Sequence, residues 1–150
     1  MKNLSVSLCF SLLALAPAAR ADSTPSGPAS LLGDWRTGQG SIIRMYACQG
    51  DHVCGQLLYS PKGRNADGTL RANAFDPKKP MCGSVIVSGL DRDGATWRGG
   101  SVFDVEKGRR ASVRVRLRNP EVAEARFYKG ITLLGVTEIL QRTQEPAPSC

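Results

Sequence analysis

Few side chains in this chain have types and spacing that could do chemistry, and the cysteines come first. Cys48, Cys54, Cys82 and Cys150 follow an N-terminal stretch that contains the fifth, Cys9. Their spacings match no zinc pattern, and the single histidine, His52, leaves a metal site without a second imidazole. Disulfide pairing remains, with three connectivities open to four cysteines. Acid–base and nucleophilic chemistry find less support. His52 falls in an exposed turn, and Ser84 and Ser112 have neither a histidine placed to activate them nor a nucleophile elbow. Asp91, Asp93 and Gly94 make a turn signal without the further oxygen ligands of a calcium loop. Asp104 and Glu106 sit at another turn, where solvation explains them, and no glycine-rich phosphate loop precedes a helix. The expectation is a protein with no catalytic residues, no metal and no cofactor.

Disulfides need an oxidising compartment, and the first residues predict one. Lys2 precedes an apolar run, Leu4 to Ala19, and Ala19-Arg20-Ala21 offers small residues at the positions signal peptidase reads. Residues 1–21 are therefore read as a cleaved signal peptide, too short and too soon interrupted to be a spanning helix. Cys9 lacks the small residue before it that a lipoprotein signal needs. The expected product is exported to the periplasm or the medium. Loss of Lys2 and Arg20 takes Lys plus Arg from 20 to 18 against 13 Asp plus Glu, a net charge of +5. That charge suits anionic envelope material, and with export it argues against nucleic acid as a partner.

These groups must be positioned by strands. Residues 22–31 are Pro-, Ser- and Gly-rich and read as a flexible lead, residues 144–150 as a flexible tail, and residues 32–143 as one domain. Between the ends, short alternating runs are separated by turn signals, with no amphipathic helical period. SIIRMYACQGDHVCGQLLY reads as a hairpin. Centred on Asp51, it sets Ala47 opposite Gly55, Met45 opposite Leu57, Ile43 opposite Tyr59, and Cys48 directly opposite Cys54. Cys82 is then left to pair with Cys150 or to stay free. Pro61 to Gly83 reads as a long loop. Strands resume with SVIVSGL, then ATWRGGSVFD with a bulge or bend at Gly99-Gly100, RRASVRVRLR, VAEARFY and LLGVTEILQR. Seven or eight antiparallel strands with short turns give an all-β sandwich or closed barrel.

Gly33-x-Trp35 opens the first strand and Leu140-Gln141-Arg142 ends the last. This arrangement resembles the lipocalin and calycin barrels. The resemblance implies that Trp35 plugs the closed end, that Arg142 crosses over its indole, and that the first and last strands pair to remove both edges. A closer likeness runs over residues 32–142: G-D-W, I-R-M-Y-A-C, V-C-G-Q-L, a loop ending P-M-C-G, W-R-G-G-S-V-F-D and the terminal L-Q-R. It is similar to the bacterial exported proteins catalogued as domain of unknown function 2147. That implies a lipocalin-like, calycin-type antiparallel β-barrel of about eight strands and no assigned activity. The chain departs from that family in two places. Asp76-Pro77-Lys78-Lys79-Pro80 stands where an Asp-x-x-Asn-Pro run is usual, and Val105 replaces a proline. No role of the 61–83 loop is carried over.

Two binding surfaces follow. Met45, Leu57, Tyr59, Trp97, Phe103 and Phe127 are the candidate lining of a cavity, with small residues such as Gly55, Ala123 and Ala125 leaving room for a small hydrophobic or amphipathic ligand. Arg114, Arg116 and Arg118 alternate with Val113, Val115 and Leu117, giving one strand an outer row of guanidinium groups. The alternative reading is an envelope interaction protein that binds anionic lipid or wall polymer through that row, with Glu124 across the hairpin as its competing partner. In either case the expectation is a monomer that does not span the membrane.

Overall fold

The computed structural model describes residues 30–150; residues 1–21, expected to be a signal peptide, and most of the expected lead lie outside the described residues. The strands are β1 (Gly33–Thr37), β2 (Ile42–Ala47), β3 (Val53–Tyr59), β4 (Ala72–Asn73), β5 (Asp76–Pro80), β6 (Val85–Asp93), β7 (Thr96–Asp104), β8 (Arg109–Asn119), β9 (Val122–Tyr128) and β10 (Val136–Thr143). One 3₁₀ turn, Thr132–Leu134, precedes β10. Eight of the strands close an antiparallel barrel in the order β1-β10-β9-β8-β7-β6-β3-β2, while β4 and β5 form a separate hairpin. Closure pairs β1 with both β2 and β10, so the barrel has no free edge. Residues 61–83 are thus not wholly loop, because β4 and β5 lie inside them.

Barrel strands tend to alternate between buried and exposed positions as half-buried strands do. The clearest is β8, with Val113, Val115 and Leu117 buried and the arginines between them exposed. Register shifts interrupt the alternation, and two of them bear on the expected cavity lining. Between Trp97 and Gly100 the β7–β8 register shifts, with Gly99 in the left-handed region at φ 83°. A bulge adds one residue and reverses which side chains point in. Gly100 is therefore buried against Leu90, where a Cβ would come within 2.9 Å. Phe103 turns away from the interior to stack edge-on with Phe75, ring centroids 5.8 Å apart. A second shift, between Ile42 and Ile43, pairs Ile42 with Tyr59 where the register of the rest of the hairpin would set it opposite Leu58.

The β2–β3 hairpin corrects the register expected from the sequence. It centres on Gly50, not Asp51, so Met45 faces Gly55 and Tyr46 faces Cys54. Cys48 N–H donates to the His52 carbonyl at 2.9 Å across a three-residue turn, whose middle residue, Gly50, has φ 62°. Glycine takes that conformation at lower cost than aspartate, and this sets the centre. Cys48 and Cys54 are bonded diagonally, with Cα atoms 5.8 Å apart. Cys82 is bonded to Cys150. Residues 144–150, expected to be a flexible tail, have no regular structure but are pinned by that bond and by the Arg36–Glu145 ion pair at 2.6 Å. Leu31, expected in the flexible lead, is fully buried, so packing begins before β1.

Candidate functional site

The barrel has a filled half and an open half, and strand direction divides them. Trp35 near the start of β1, Trp97 near the start of β7, Leu117 near the end of β8 and Leu90 near the end of β6 gather at one end of the common core. Trp35 is 0% exposed, and its indole N–H donates to the Leu31 carbonyl at 2.8 Å. Its strand partner is Arg142, whose guanidinium lies 4.3 Å from the indole centroid. The same guanidinium donates to the carbonyls of Pro120, Leu32 and Ser30 at 2.7, 2.7 and 2.6 Å. Gly33 fits beneath it with φ 119°, where a Cβ would stand 2.7 Å from Nη1. Glycine is needed there for both conformation and space.

At the other end a cavity of about 190 Å³ remains. Met45, Leu57, Val113, Val115, Ala125 and Phe127 give it apolar walls, and Thr37, Gln39, Ser41 and Glu138 meet it as polar groups. Gly55 helps make the space, since a Cβ there would meet Met45, Val87 and Ile43 within 3.2 Å. The cavity opens into a wider basin of about 640 Å³, to which Gln39, Val102, Phe127 and Glu138 are common. Lys62, Lys107, Arg109, Arg110 and Lys129 surround the basin, against the carboxylates of Asp104, Glu106 and Glu138. Glu106 is engaged by Lys62 and Arg71 at 3.4 and 3.5 Å, and Asp104 lies 4.0 Å from Arg109. Among the described residues, Lys107, Arg110 and Lys129 have no carboxylate at ion-pair distance.

The six expected cavity residues divide accordingly. Met45, Leu57 and Phe127 line the cavity; Tyr59, Trp97 and Phe103 do not. Trp97 fills the closed half, while the two register irregularities place Tyr59 and Phe103 away from the lining. Arg110 packs over the Phe103 ring at 4.7 Å, which brings that guanidinium to the basin. The arginine row of β8 lies exposed on the outer wall. Its lower part is met by Glu124, which pairs with Arg118 at 2.5 Å and sits opposite Arg116, while Arg114 sits opposite Arg126. Elsewhere, His52 contacts Asp91 at 2.5 Å in the exposed hairpin, and the Ser84 hydroxyl donates to the Pro80 carbonyl. Among the described residues no cluster of metal-ligating side chains forms. Nor is any described helix long and apolar enough to cross a membrane.

Glu138, at the neck between cavity and basin, was not singled out by the sequence reading. It occupies an ordinary strand position, and only the cavity gives it meaning. Burial pushes its carboxyl above the ordinary 4.5, partly offset by the Gly38 amide and the Thr37 hydroxyl. The folded protein thus holds this proton more tightly than the unfolded chain. Its contribution to stability is present at low pH and falls as pH rises from the ordinary value through the raised one. Glu138→Gln is therefore expected to raise the urea midpoint at about pH 7 and leave it unchanged at about pH 3, where both states are protonated. A lower midpoint at neutral pH would mean that the ionised carboxylate is favoured by the fold.

No curated protein matches the chain. Among solved structures, protein HP1028 from the human pathogen Helicobacter pylori, described as belonging to the lipocalin family, is similar in fold. The TM-score is 0.65 and the identity 17%, over 78% of this chain and 85% of that one. Residues 33–142, running from the glycine beneath the Trp35 plug to the arginine that covers it, match the family described as an uncharacterized protein conserved in bacteria, domain of unknown function 2147, and the chain belongs to that family.

Proposed function

We propose that the protein is an exported binding protein, without catalytic activity, for a small amphipathic molecule whose apolar part enters the barrel and whose anionic part rests in the basin. The observation that carries this reading is the continuity of an apolar cavity with a cation-rich mouth. At about 190 Å³ the cavity is smaller than the ~300 Å³ at which ligand pockets commonly begin. It takes a short chain or a single ring system and leaves the polar end outside, where Arg110 and Lys129 lack carboxylate partners. Export is supported by the leader and by the two disulfides. A monomer is supported by closure, which leaves no strand edge to pair with a second copy.

The naphthalene sulfonate dye ANS has the required chemistry: one of its two ring systems can enter the cavity while the other and the anionic sulfonate stay in the basin. Wild-type protein should bind it with enhanced, blue-shifted emission. Phe127→Glu, a change at the half-buried mouth, should weaken binding at least about tenfold through lost apolar contact and added negative charge. The near-ultraviolet circular dichroism of that variant checks that the barrel is intact. Enhancement equal in wild type and folded Phe127→Glu would overturn the cavity reading.

A further inference from the structure

The most exposed apolar segment lies beside the basin, between β9 and β10. Ile131, Leu133, Leu134 and Val136 are 59%, 80%, 78% and 70% exposed. Such side chains are normal when scattered singly, but four within six residues are a patch. The segment is also held in place. Arg126 on β9 donates from Nε to the Thr132 carbonyl at 2.6 Å, from Nη2 to the Leu133 carbonyl at 2.9 Å, and from Nη1 to the Thr137 hydroxyl at 2.8 Å. One guanidinium thus fixes the backbone of the 3₁₀ turn and leaves both leucine side chains in solvent.

Charge decides what the patch fits. Val136 belongs to the rim of the basin, where Lys62, Lys107, Arg109, Arg110 and Lys129 outnumber the carboxylates of Asp104, Glu106 and Glu138. A leucine pair beside unpaired cations matches an anionic bilayer, where apolar side chains enter the acyl boundary and cations stay among the headgroups. A second copy of this chain is a poorer match, because it would bring the same cations face to face. We infer that the Ile131–Val136 segment and the basic rim of the basin together form a docking surface for an anionic lipid bilayer, with the barrel mouth turned toward the membrane. This surface differs from the arginine row of β8, whose lower part Glu124 already meets. The inference does not rest on the cavity reading: a protein that binds no dye can still dock, and one that binds dye can fail to dock.

The test is flotation of the purified protein with vesicles of phosphatidylglycerol and phosphatidylethanolamine, against vesicles of phosphatidylcholine. Binding is expected to the anionic vesicles only and to weaken as salt is raised. Leu133→Glu with Leu134→Glu should lower it at least about tenfold. These sites are already solvated, so the fold is expected to be retained, and circular dichroism checks this. Arg110→Glu with Lys129→Glu should also lower it at least about tenfold, each cation being worth about fivefold near such a surface. Leu133→Ser with Leu134→Ser leaves the charge unchanged but removes the apolar anchor, and should still bind more weakly than wild type. Absence of flotation at low salt would overturn the inference, as would binding unaffected by the leucine changes. Concentration-dependent dimerisation that those same changes abolish would assign the patch to self-association instead.

Discussion

Trp35→Ala is expected to lower stability by about 3–5 kcal/mol and the melting temperature by about 15–25 °C. Three effects act at once. The indole is fully buried, so its removal leaves a cavity at the closed end that the surrounding strands cannot collapse to fill. The Leu31 carbonyl loses its donor. Arg142 also loses the aromatic face beneath it, although its three carbonyl acceptors remain. Against a typical total of about 5–15 kcal/mol, a loss of this size is a large share of the whole. Arg142→Lys is the informative companion. A lysine ammonium cannot reproduce the planar fork that reaches Pro120, Leu32 and Ser30 together, and a loss of about 1–3 kcal/mol is expected. If Trp35→Ala cost less than about 1 kcal/mol by urea unfolding, the closed end would not be held as its geometry indicates.

Cys150→Ser should have the second-largest effect. The Cys82–Cys150 bond joins residues 68 apart, whereas Cys48–Cys54 joins residues 6 apart. In the chain-entropy description the long loop contributes about 4 kcal/mol and the short one about 2 kcal/mol. The long bond has a local role as well. Gly63 packs so closely on it that a Cβ would approach both sulfurs within 2.8 Å, and the Arg64 guanidinium donates to the Cys150 carbonyl. The bond therefore joins the segment after β10 to the 60–84 segment, and the latter hydrogen-bonds in turn to β3 through Leu57 and Ser84. Unfolding of the single variants, compared with fully reduced protein, separates the two bonds. A larger loss for Cys48→Ser than for Cys150→Ser would contradict the loop-length argument.

The barrel was legible in the sequence for physical reasons. Strict alternation in ASVRVRLR can only be a half-buried strand, and turn signals at short spacing leave no room for crossover helices. Gly33, Trp35 and Arg142 stood out through their resemblance to the ends of the lipocalin and calycin barrels, and a cation on an indole at the seam of the first and last strands gives that likeness a physical sense. The cysteines were legible as disulfide partners, but the register between the first two was not. A hairpin of this length can centre on Gly50 or Asp51, and both keep the same side chains on the same faces. The preference for glycine at a positive φ separates them.

The lining of the cavity was only half legible, and the reason is parity. Alternation predicts which face a residue takes only until a bulge intervenes, and one inserted residue reverses everything beyond it. The Gly99-Gly100 bend was visible, yet its consequence for Phe103 depended on where the pairing with β8 resumed. The exposure of Leu133 and Leu134 was hidden for a related reason. LLGVTEILQR scans as one apolar-rich strand, but β10 starts only at Val136, and Arg126 draws the preceding carbonyls into a separate turn. Glu138 is the strongest case. By itself the sequence determined the strand class and the thiol chemistry, because each follows from local pattern and residue type, while the closing pair was legible through a resemblance to known barrels. Tertiary structure decided which half of the barrel is filled, what lines the other half, and that a carboxyl, a set of cations and an apolar turn meet at its mouth. Those outcomes depend on register summed around a closed sheet, a quantity that no single segment contains.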